Sequence, residues 1–449
     1  MGTKNYITAI KIGSSEISGT VGISTYEGTK IIAYASEPVD GFISKGVVRN
    51  VDATSTCLSS IINRLEEQLG NKVTIEKAYT SIEGLSVRSI KSTVKRQFEE
   101  YTKITSDIID SMAIENDNEF VVPEGYQKVQ GIVQEYKLDG STNTAPTGFH
   151  TRCIECSYLN IVIKEQFMKQ LNESFDMAKI VIVDSFCAAK IEADILLGKE
   201  NKRSCALVNM GAETTTVSIY TNDLLRKLIV IPLGGENITK DICAEHLSRE
   251  EAEQLKIAKG YNASSNEGSP ISIETLNKII GARVTEILLN VKHQIEDYEE
   301  KLAQIFFTGG AAKLKNIKEL IDEHLSAYET QIIIEPSLNC FSDNNLYLAQ
   351  GAITPTLFGL LSIGKENCCK EELPKEPQAP MQKDLFEEEK MEPEKEEIKI
   401  EEEKPKIEEK KEAKPTTEHK KKKNIWSKFN DLFNDFKDNV TSEEDGDDD

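Results

Sequence analysis

The sequence is poor in aromatic residues, in histidine and in long apolar runs. Of its 449 residues, 6% are aromatic, five are His and one is Trp. The 54 Lys and Arg residues are outnumbered by 76 Asp and Glu residues, which leaves a net charge of −22. Because nucleic-acid binding requires a cationic face that displaces counterions, this balance argues against a nucleic-acid partner. No apolar run reaches the roughly 20 residues of a membrane-spanning helix.

The nine cysteines follow no spacing typical of a disulfide framework, and the N-terminus carries no signal-peptide pattern. We therefore expect free thiols in a reducing cytosol. Cys153 and Cys156 form one Cys-x-x-Cys pair, but they lie in an alternating, strand-like run. Since no second pair accompanies them, no metal site is predicted.

Two apolar runs, nearly two hundred residues apart, are each interrupted by a glycine turn. The first covers residues 7–23 and breaks at Gly13, and the second covers residues 205–220 and breaks at Gly211. β-Branched residues on each side predict strand, tight turn and strand. A glycine turn that carries Ser or Thr exposes backbone N–H groups, which suit a phosphate. The pair predicts two similar half-domains that face each other across a phosphate.

The end of the chain changes character twice. Residues 363–419 consist mainly of Glu, Lys and Pro, so we expect an unfolded charged linker there. Residues 420–441 predict an amphipathic helix that lies on an anionic membrane, and residues 442–449 are an acidic tail. The alternative for this helix is a groove on its own folded body or on a partner. The expected membrane-binding residues are Lys421, Lys422, Lys423, Ile425, Trp426, Phe429, Leu432, Phe433 and Phe436.

Two phosphate hairpins, a Thr-Gly-Gly-Ala turn at 308–311, a β-rich insertion and an amphipathic tail together resemble the FtsA family of bacterial cell-division proteins. The resemblance covers about residues 5–362 and the tail. It implies an α/β, actin-like fold in which two related ribonuclease-H-like lobes enclose a nucleotide cleft. The implied parts are a first lobe (1–82 and 164–200), an inserted α+β subdomain that contacts the next filament subunit (83–163), a second lobe (201–232 and 303–362) and its helical subdomain with the FtsZ contact (233–302).

The resemblance also implies which residues contact ATP. They are Gly13, Ser14 and Ser15 in the first phosphate loop, Gly211, Ala212, Glu213 and Thr214 in the second, Gly309, Gly310 and Ala311 in the adenosine loop, and Glu253 and Lys256 on a bordering helix.

Two departures from the family pattern concern hydrolysis. Lys11 and Asn209 stand where family members commonly carry carboxylates that hold the water shell of Mg²⁺ and orient the attacking water. We count both residues among the nucleotide contacts and expect ATP to bind with weak or absent hydrolysis. Mg²⁺ remains compatible with such a site, although its usual carboxylate partners are missing. In the alternative, Lys11 points to solvent and Glu213 supplies the carboxylate. No catalytic or metal-ligating residue is predicted.

The resemblance implies a cell-division protein on the cytoplasmic side of the membrane at the division site. Such a protein self-assembles, anchors the FtsZ ring to the membrane and recruits later division proteins. Two other functions use the same fold. An actin-like small-molecule kinase needs a catalytic carboxylate in the cleft, for which Asp184 is the candidate. A PilM-like assembly adaptor would differ in its partner.

Overall fold

The computed structural model describes residues 4–25, 28–70, 73–143, 145–298, 301–334 and 353–371, all within one compact unit. The predicted linker and amphipathic helix lie almost wholly outside these residues. The strands are β1 Tyr6–Ile12, β2 Glu16–Thr25, β3 Gly28–Pro38, β4 Ile43–Ser44, β5 Val47–Val48, β6 Val73–Ile75, β7 Lys77–Ile82, β8 Arg88–Lys103, β9 Tyr126–Leu138, β10 Ser141–Asn143, β11 His150–Lys164, β12 Val181–Cys187, β13 Ser204–Met210, β14 Thr215–Thr221, β15 Leu224–Ile231, β16 Gln304–Thr308, β17 Glu329–Ile332 and β18 Cys369–Glu371.

The helices alternate with these strands along most of the described chain. They are α1 Val51–Gln68, α2 Ser106–Glu119, α3 Glu165–Met177, α4 Ala188–Leu196, α5 Gly198–Asn201, α6 Gly235–Cys243, α7 Arg249–Lys259, α8 Ile273–Glu296, α9 Ile317–His324 and α10 Pro355–Ile363. Across the described ranges, none of them is long and apolar enough to cross a membrane.

Two five-stranded sheets repeat one topology. Their strand orders are β3-β2-β1-β7-β12 and β15-β14-β13-β16-β17. In each sheet the first three strands are antiparallel, and the last two run parallel to the strand that starts the hairpin. Helices separate the parallel strands because a parallel connection must cross a face of the sheet. This repeat confirms the predicted α/β fold with two related, actin-like lobes.

Amphipathic helices cover both sheets. In α1 the residues Leu58, Ile61 and Leu65 are fully buried, and the side chain of Asn50 caps the helix by accepting from the N–H of Ala53. In the second lobe the long helix α8 buries a stripe in the same way, composed of Leu276, Ile280, Val284, Ile287, Leu288, Val291 and Ile295.

The insertion between β7 and α3 is an antiparallel sheet of order β10-β9-β11-β8 with α2 packed on it. Its own small core includes Val94, Met112 and Ile154. A different apolar cluster joins the insertion to the second lobe, where Leu159 and Ile161 of β11 share a core with residues of β13, β15 and β16. The α+β insertion is thus packed against the second lobe as well as connected to the first.

The folded part of the chain extends further than the sequence pattern predicts. The sequence analysis starts the unfolded linker at residue 363. In the structure, however, β18 pairs with β6, and Cys368 and Cys369 are buried. The sequence analysis also assigns residues 303–362 to the second lobe, whereas α10 belongs to the apolar core of the first. Both assignments are wrong for the same reason: backbone pairing and an apolar helix return this segment to the first lobe.

Helices α4 and α10 cross at Gly359. A Cβ atom built on Gly359 would lie 1.8 Å from Cγ2 of Ile191, which is far closer than two carbon atoms can approach. The absence of a side chain at this position therefore sets the distance between the two helices.

We predict that Gly359→Ala lowers the free energy of unfolding by about 1–3 kcal/mol, because overpacking outweighs the gain in helix propensity. Ser362→Ala, on the exposed side of the same helix, is the matched control and should change it by less than about 0.5 kcal/mol. Urea denaturation measures both. The pair Gly359→Ala with Ile191→Ala should be less destabilised than the sum of the single changes. A stabilised Gly359→Ala protein would contradict this packing.

Candidate functional site

A cavity of about 1180 Å³ lies between the two lobes. All fourteen nucleotide-contact candidates named from the sequence line it, from Lys11 to Ala311. The structure therefore brings together three glycine turns and one helix that are up to three hundred residues apart in the chain. The predicted membrane-binding residues, from Lys421 to Phe436, lie outside the described residues.

The two hairpin turns have the same geometry. The N–H of Gly13 donates to the carbonyl of Glu16 at 3.0 Å, and the N–H of Gly211 donates to the carbonyl of Thr214 at 2.8 Å. Each turn thus spans four residues between paired strands. This equivalence places Lys11 in β1 and Asn209 in β13 at matching positions, two residues before the glycine.

The third turn follows β16, beside the second hairpin in the same sheet. Gly309 has a φ of +94°, and a Cβ atom there would lie 2.3 Å from Oδ1 of Asn209, so no other residue fits this position without strain. Gly310 differs, because a Cβ atom on it would meet nothing within 4 Å. The backbone at residue 310 is therefore exposed to the cavity, where a ligand can approach it closely.

Helix α7 supplies a fixed ion pair to the wall of the cavity. Its start is capped by Ser248 and Glu251. Nζ of Lys256 donates to Oε2 of Glu253 at 2.7 Å, to Oγ1 of Thr239 at 2.8 Å and to the carbonyl of Gly235 at 3.1 Å. Because Lys256 is 8% exposed, its side chain does not belong to a solvent-exposed face of α7.

The ammonium group of Lys11 lies among carboxylates at the floor of the cavity. Nζ of Lys11 lies 3.9 Å from Oε2 of Glu83. Burial lowers the pKa of Lys11, but the carboxylates of Glu83, Glu192 and Glu16 outweigh it and raise this pKa above its ordinary value. Burial raises the pKa of Glu83, and Lys11 offsets part of that rise. Lys11 is thus a largely buried cation, which contradicts the alternative that it points to solvent.

Glu192 is a residue of the floor that the sequence pattern did not identify. It is 3% exposed, and its carboxylate accepts from Nδ2 of Asn209 at 2.7 Å and from Oγ1 of Thr356 at 2.6 Å. Asn209 belongs to the second lobe and Thr356 to α10, so this carboxylate connects the two. A signal was present in the sequence, since Glu192 follows Ala188 and precedes Ile195 on the apolar face of a short helix.

Two carboxylates that the sequence analysis singled out are engaged or lie elsewhere. Glu213 accepts from the N–H of Lys45 at 2.6 Å. Asp184, the candidate for a kinase, is exposed, accepts from the N–H of Ser185 and does not line the cavity. Within the described ranges, no three His, Cys, Asp or Glu side chains are placed to hold one metal ion.

Comparisons with known proteins find sequence matches to FtsA proteins and a match in fold to a solved structure. The family model for the cell division protein FtsA matches residues 206–343. The cell division protein FtsA of Porphyromonas gingivalis is 26% identical over 331 residues, which cover 68% of each chain. The Escherichia coli K12 protein of that name is 24% identical over 396 residues, which cover 81% of this chain and 91% of the relative.

A solved structure described as a PilM-PilN type IV pilus biogenesis complex shares the fold. Its TM-score is 0.58 at 15% identity, and the match covers 79% of this chain and 97% of the other. At this identity the likeness concerns the fold alone. The sequence matches and the repeated lobes show that this chain is similar to FtsA cell-division proteins over most of its length and shares the fold of the PilM structure.

Proposed function

We propose that this protein binds ATP or its diphosphate in the interlobe cavity and, as an FtsA-like assembling subunit, tethers FtsZ polymers to the cytoplasmic face of the membrane. The observation that carries the proposal is the convergence of three glycine turns and the Lys256 ion pair on one cleft. Nucleotide bound there would contact both lobes and would favour the closed, assembly-competent arrangement. Recruitment of later division proteins belongs to the same proposal.

The cavity suits a nucleotide in size and in chemistry. Its volume of about 1180 Å³ exceeds what a drug-sized ligand needs. Two hairpin turns carry the hydroxyls of Ser14, Ser15 and Thr214, which suit a phosphate chain together with exposed backbone N–H groups. Gly310 and Ala311 leave room for a nucleoside beside Lys256.

The floor disfavours hydrolysis. An ATPase of this fold needs carboxylates that hold a hydrated Mg²⁺ and a water molecule near the terminal phosphate. Here the two equivalent strand positions carry Lys11 and Asn209, and the nearby carboxylates of Glu83 and Glu192 are engaged by those same two residues. We derive no hydrolytic step through a metal ion. Nucleotide acts as a structural ligand.

The membrane tether is tested by co-sedimentation of FtsZ with anionic vesicles. We expect the full chain to bring FtsZ down with the vesicles and a chain that ends at Glu376 to fail. This end point keeps β18, which a stop at Lys365 would remove. In the full chain, Phe433→Asp should weaken co-sedimentation about tenfold or more, because it removes apolar burial.

Asn434→Asp is the matched control, because it makes the same change in charge on the polar face of the predicted helix. It should retain most of the binding. Equal co-sedimentation by the shortened chain would show that the tail is not the anchor. Failure of the full chain to bring FtsZ down would contradict the tether altogether.

Gly310→Leu tests the nucleotide cleft. The φ and ψ at this position, −61° and −41°, accept any residue, and no atom lies near the added Cβ. We therefore expect a folded protein of unchanged thermal stability whose affinity for ADP and ATP falls about tenfold or more, because leucine fills ligand space. Gly310→Ala, with a smaller side chain, should lose less. Calorimetric titration measures both, and unchanged affinity of the leucine variant would place the ligand elsewhere.

Asn209→Asp tests the chemistry of the floor. The new carboxylate would face Glu192 and replace a hydrogen-bond donor, so the pair would retain a proton and its apparent pKa would rise. When the pKa of a carboxyl is raised in the folded state, the free energy of unfolding of the protein falls as the pH rises through that pKa. The variant should therefore be more destabilised at pH 8 than at pH 5 and should release no more phosphate from ATP than the natural chain. Turnover of either protein on vesicles at about 1 per second or faster would contradict a structural nucleotide.

A further inference from the structure

The turn between β4 and β5 brings the two lobes together. Lys45 and Gly46 both have left-handed backbone conformations, with φ of 53° and 72°. The carbonyl of Lys45 accepts from the N–H of Leu85 at 3.1 Å, and the backbones of Gly46 and Gly84 are in close contact. These contacts fix the direction in which the N–H groups of the turn point.

The adjacent N–H groups of this turn bind the two hairpins. The N–H of Gly46 donates to Oγ of Ser14 in the first hairpin at 2.8 Å. The N–H of Lys45 donates to Oε2 of Glu213 in the second hairpin at 2.6 Å. Since neighbouring peptide nitrogens are less than about 4 Å apart, the tips of both hairpins meet on one dipeptide. Glu213 spans from the second lobe to the first through its carboxylate.

The surroundings of this bridge are rich in negative charge. Oε1 of Glu213 lies 3.8 Å from Nζ of Lys240, a largely exposed side chain whose attraction is screened by solvent. Glu16, Glu83 and Glu192 lie around the ammonium of Lys11, and Lys313, which also lines the cavity, acts on Glu16. Lys256, the buried cation of α7, is held by Glu253 at the other wall. A phosphate group that entered the space between the hairpins would therefore lie beside the carboxylate of Glu213.

We propose, on the basis of the nucleotide cleft proposed above, that Glu213 takes the place of a terminal phosphate between the two hairpins. The cleft then selects a nucleoside diphosphate over a triphosphate, and Glu213 is the residue that determines this preference. A bound phosphate bridges two lobes by accepting N–H groups from both, and here a side chain already makes the contact across the cleft.

The size of the preference follows from the charges. A carboxylate and a phosphate oxygen within about 4 Å repel each other strongly at the effective dielectric constant of a protein surface, which corresponds to tenfold or more in affinity. A diphosphate that ends before the hairpin tips avoids this repulsion. Neutralising Glu213 removes the repulsion while the side chain keeps its length and an acceptor oxygen.

The experiment compares Glu213→Gln with the natural full chain by calorimetric titration of ADP and ATP, with EDTA and with Mg²⁺. We expect the natural chain to bind ADP about tenfold or more tightly than ATP in both conditions. In Glu213→Gln the affinity for ATP should rise about tenfold, and that for ADP should change by less than about threefold. Glu245→Gln is the matched control: Glu245 is exposed beyond α6 and does not line the cavity.

Equal affinities in the natural chain, or an unchanged ratio in Glu213→Gln, would overturn the inference and leave the proposed nucleotide cleft intact. Failure of every variant to bind either nucleotide would overturn both. A measurement without nucleotide tests the bridge directly. Hydrogen exchange at the N–H of Lys45 should quicken about tenfold or more in Glu213→Ala and stay slow in Glu213→Gln and Glu245→Gln. Unchanged exchange in the alanine variant would show that Glu213 does not hold the lobes together.

Discussion

The crossing of α4 and α10 positions the buried carboxylate of Glu192 at the floor of the cleft. The two helices approach closely because residue 359 has no side chain, and Ile191 occupies the space. From the same crossing, Glu192 of α4 accepts hydrogen bonds from Thr356 of α10 and from Asn209 of the second lobe. A buried carboxylate is tolerated only where its acceptor capacity is used, so these bonds tie the first lobe, its returning helix and the second hairpin into one arrangement.

The floor of the cleft carries a cation and an amide at the two strand positions where the FtsA resemblance implies carboxylates. Lys11 supplies a positive charge at the first of these positions. Glu83 and Glu192 balance that charge from elements that the hairpin motifs do not include. A fixed ammonium can neutralise phosphate, but it cannot act as a base for water. The arrangement is therefore suited to holding a ligand between two lobes.

The return of the chain to the first lobe matters for a tether. Strand β18 pairs with β6, and Tyr6 donates to the carboxylate of Glu371 at 2.6 Å. The segment that follows therefore starts from the first lobe. Under the proposed function, tension on a membrane-bound tail would be transmitted to this lobe through backbone hydrogen bonds and would leave the second lobe free to contact its partners.

The sequence by itself determined the two hairpins, the helix periodicities and the three glycine turns, because these are local patterns of β-branched, small and apolar residues. The turns around Gly13 and Gly211 could be assigned to one phosphate site because a repeated motif implies a repeated lobe, and the turn at Gly309 was assigned to the same cleft by the resemblance to the FtsA family. Tertiary structure alone decided which charged side chains share the floor. Glu83, Glu192 and Lys45 come from a strand end, a helix and a turn without a recognisable motif. The pairing of β7 with β1 brings Glu83 to Lys11, the position of α4 brings Glu192 to Asn209, and the left-handed turn brings Lys45 to Glu213. Such contacts depend on distances between distant parts of the chain, which residue spacing does not encode.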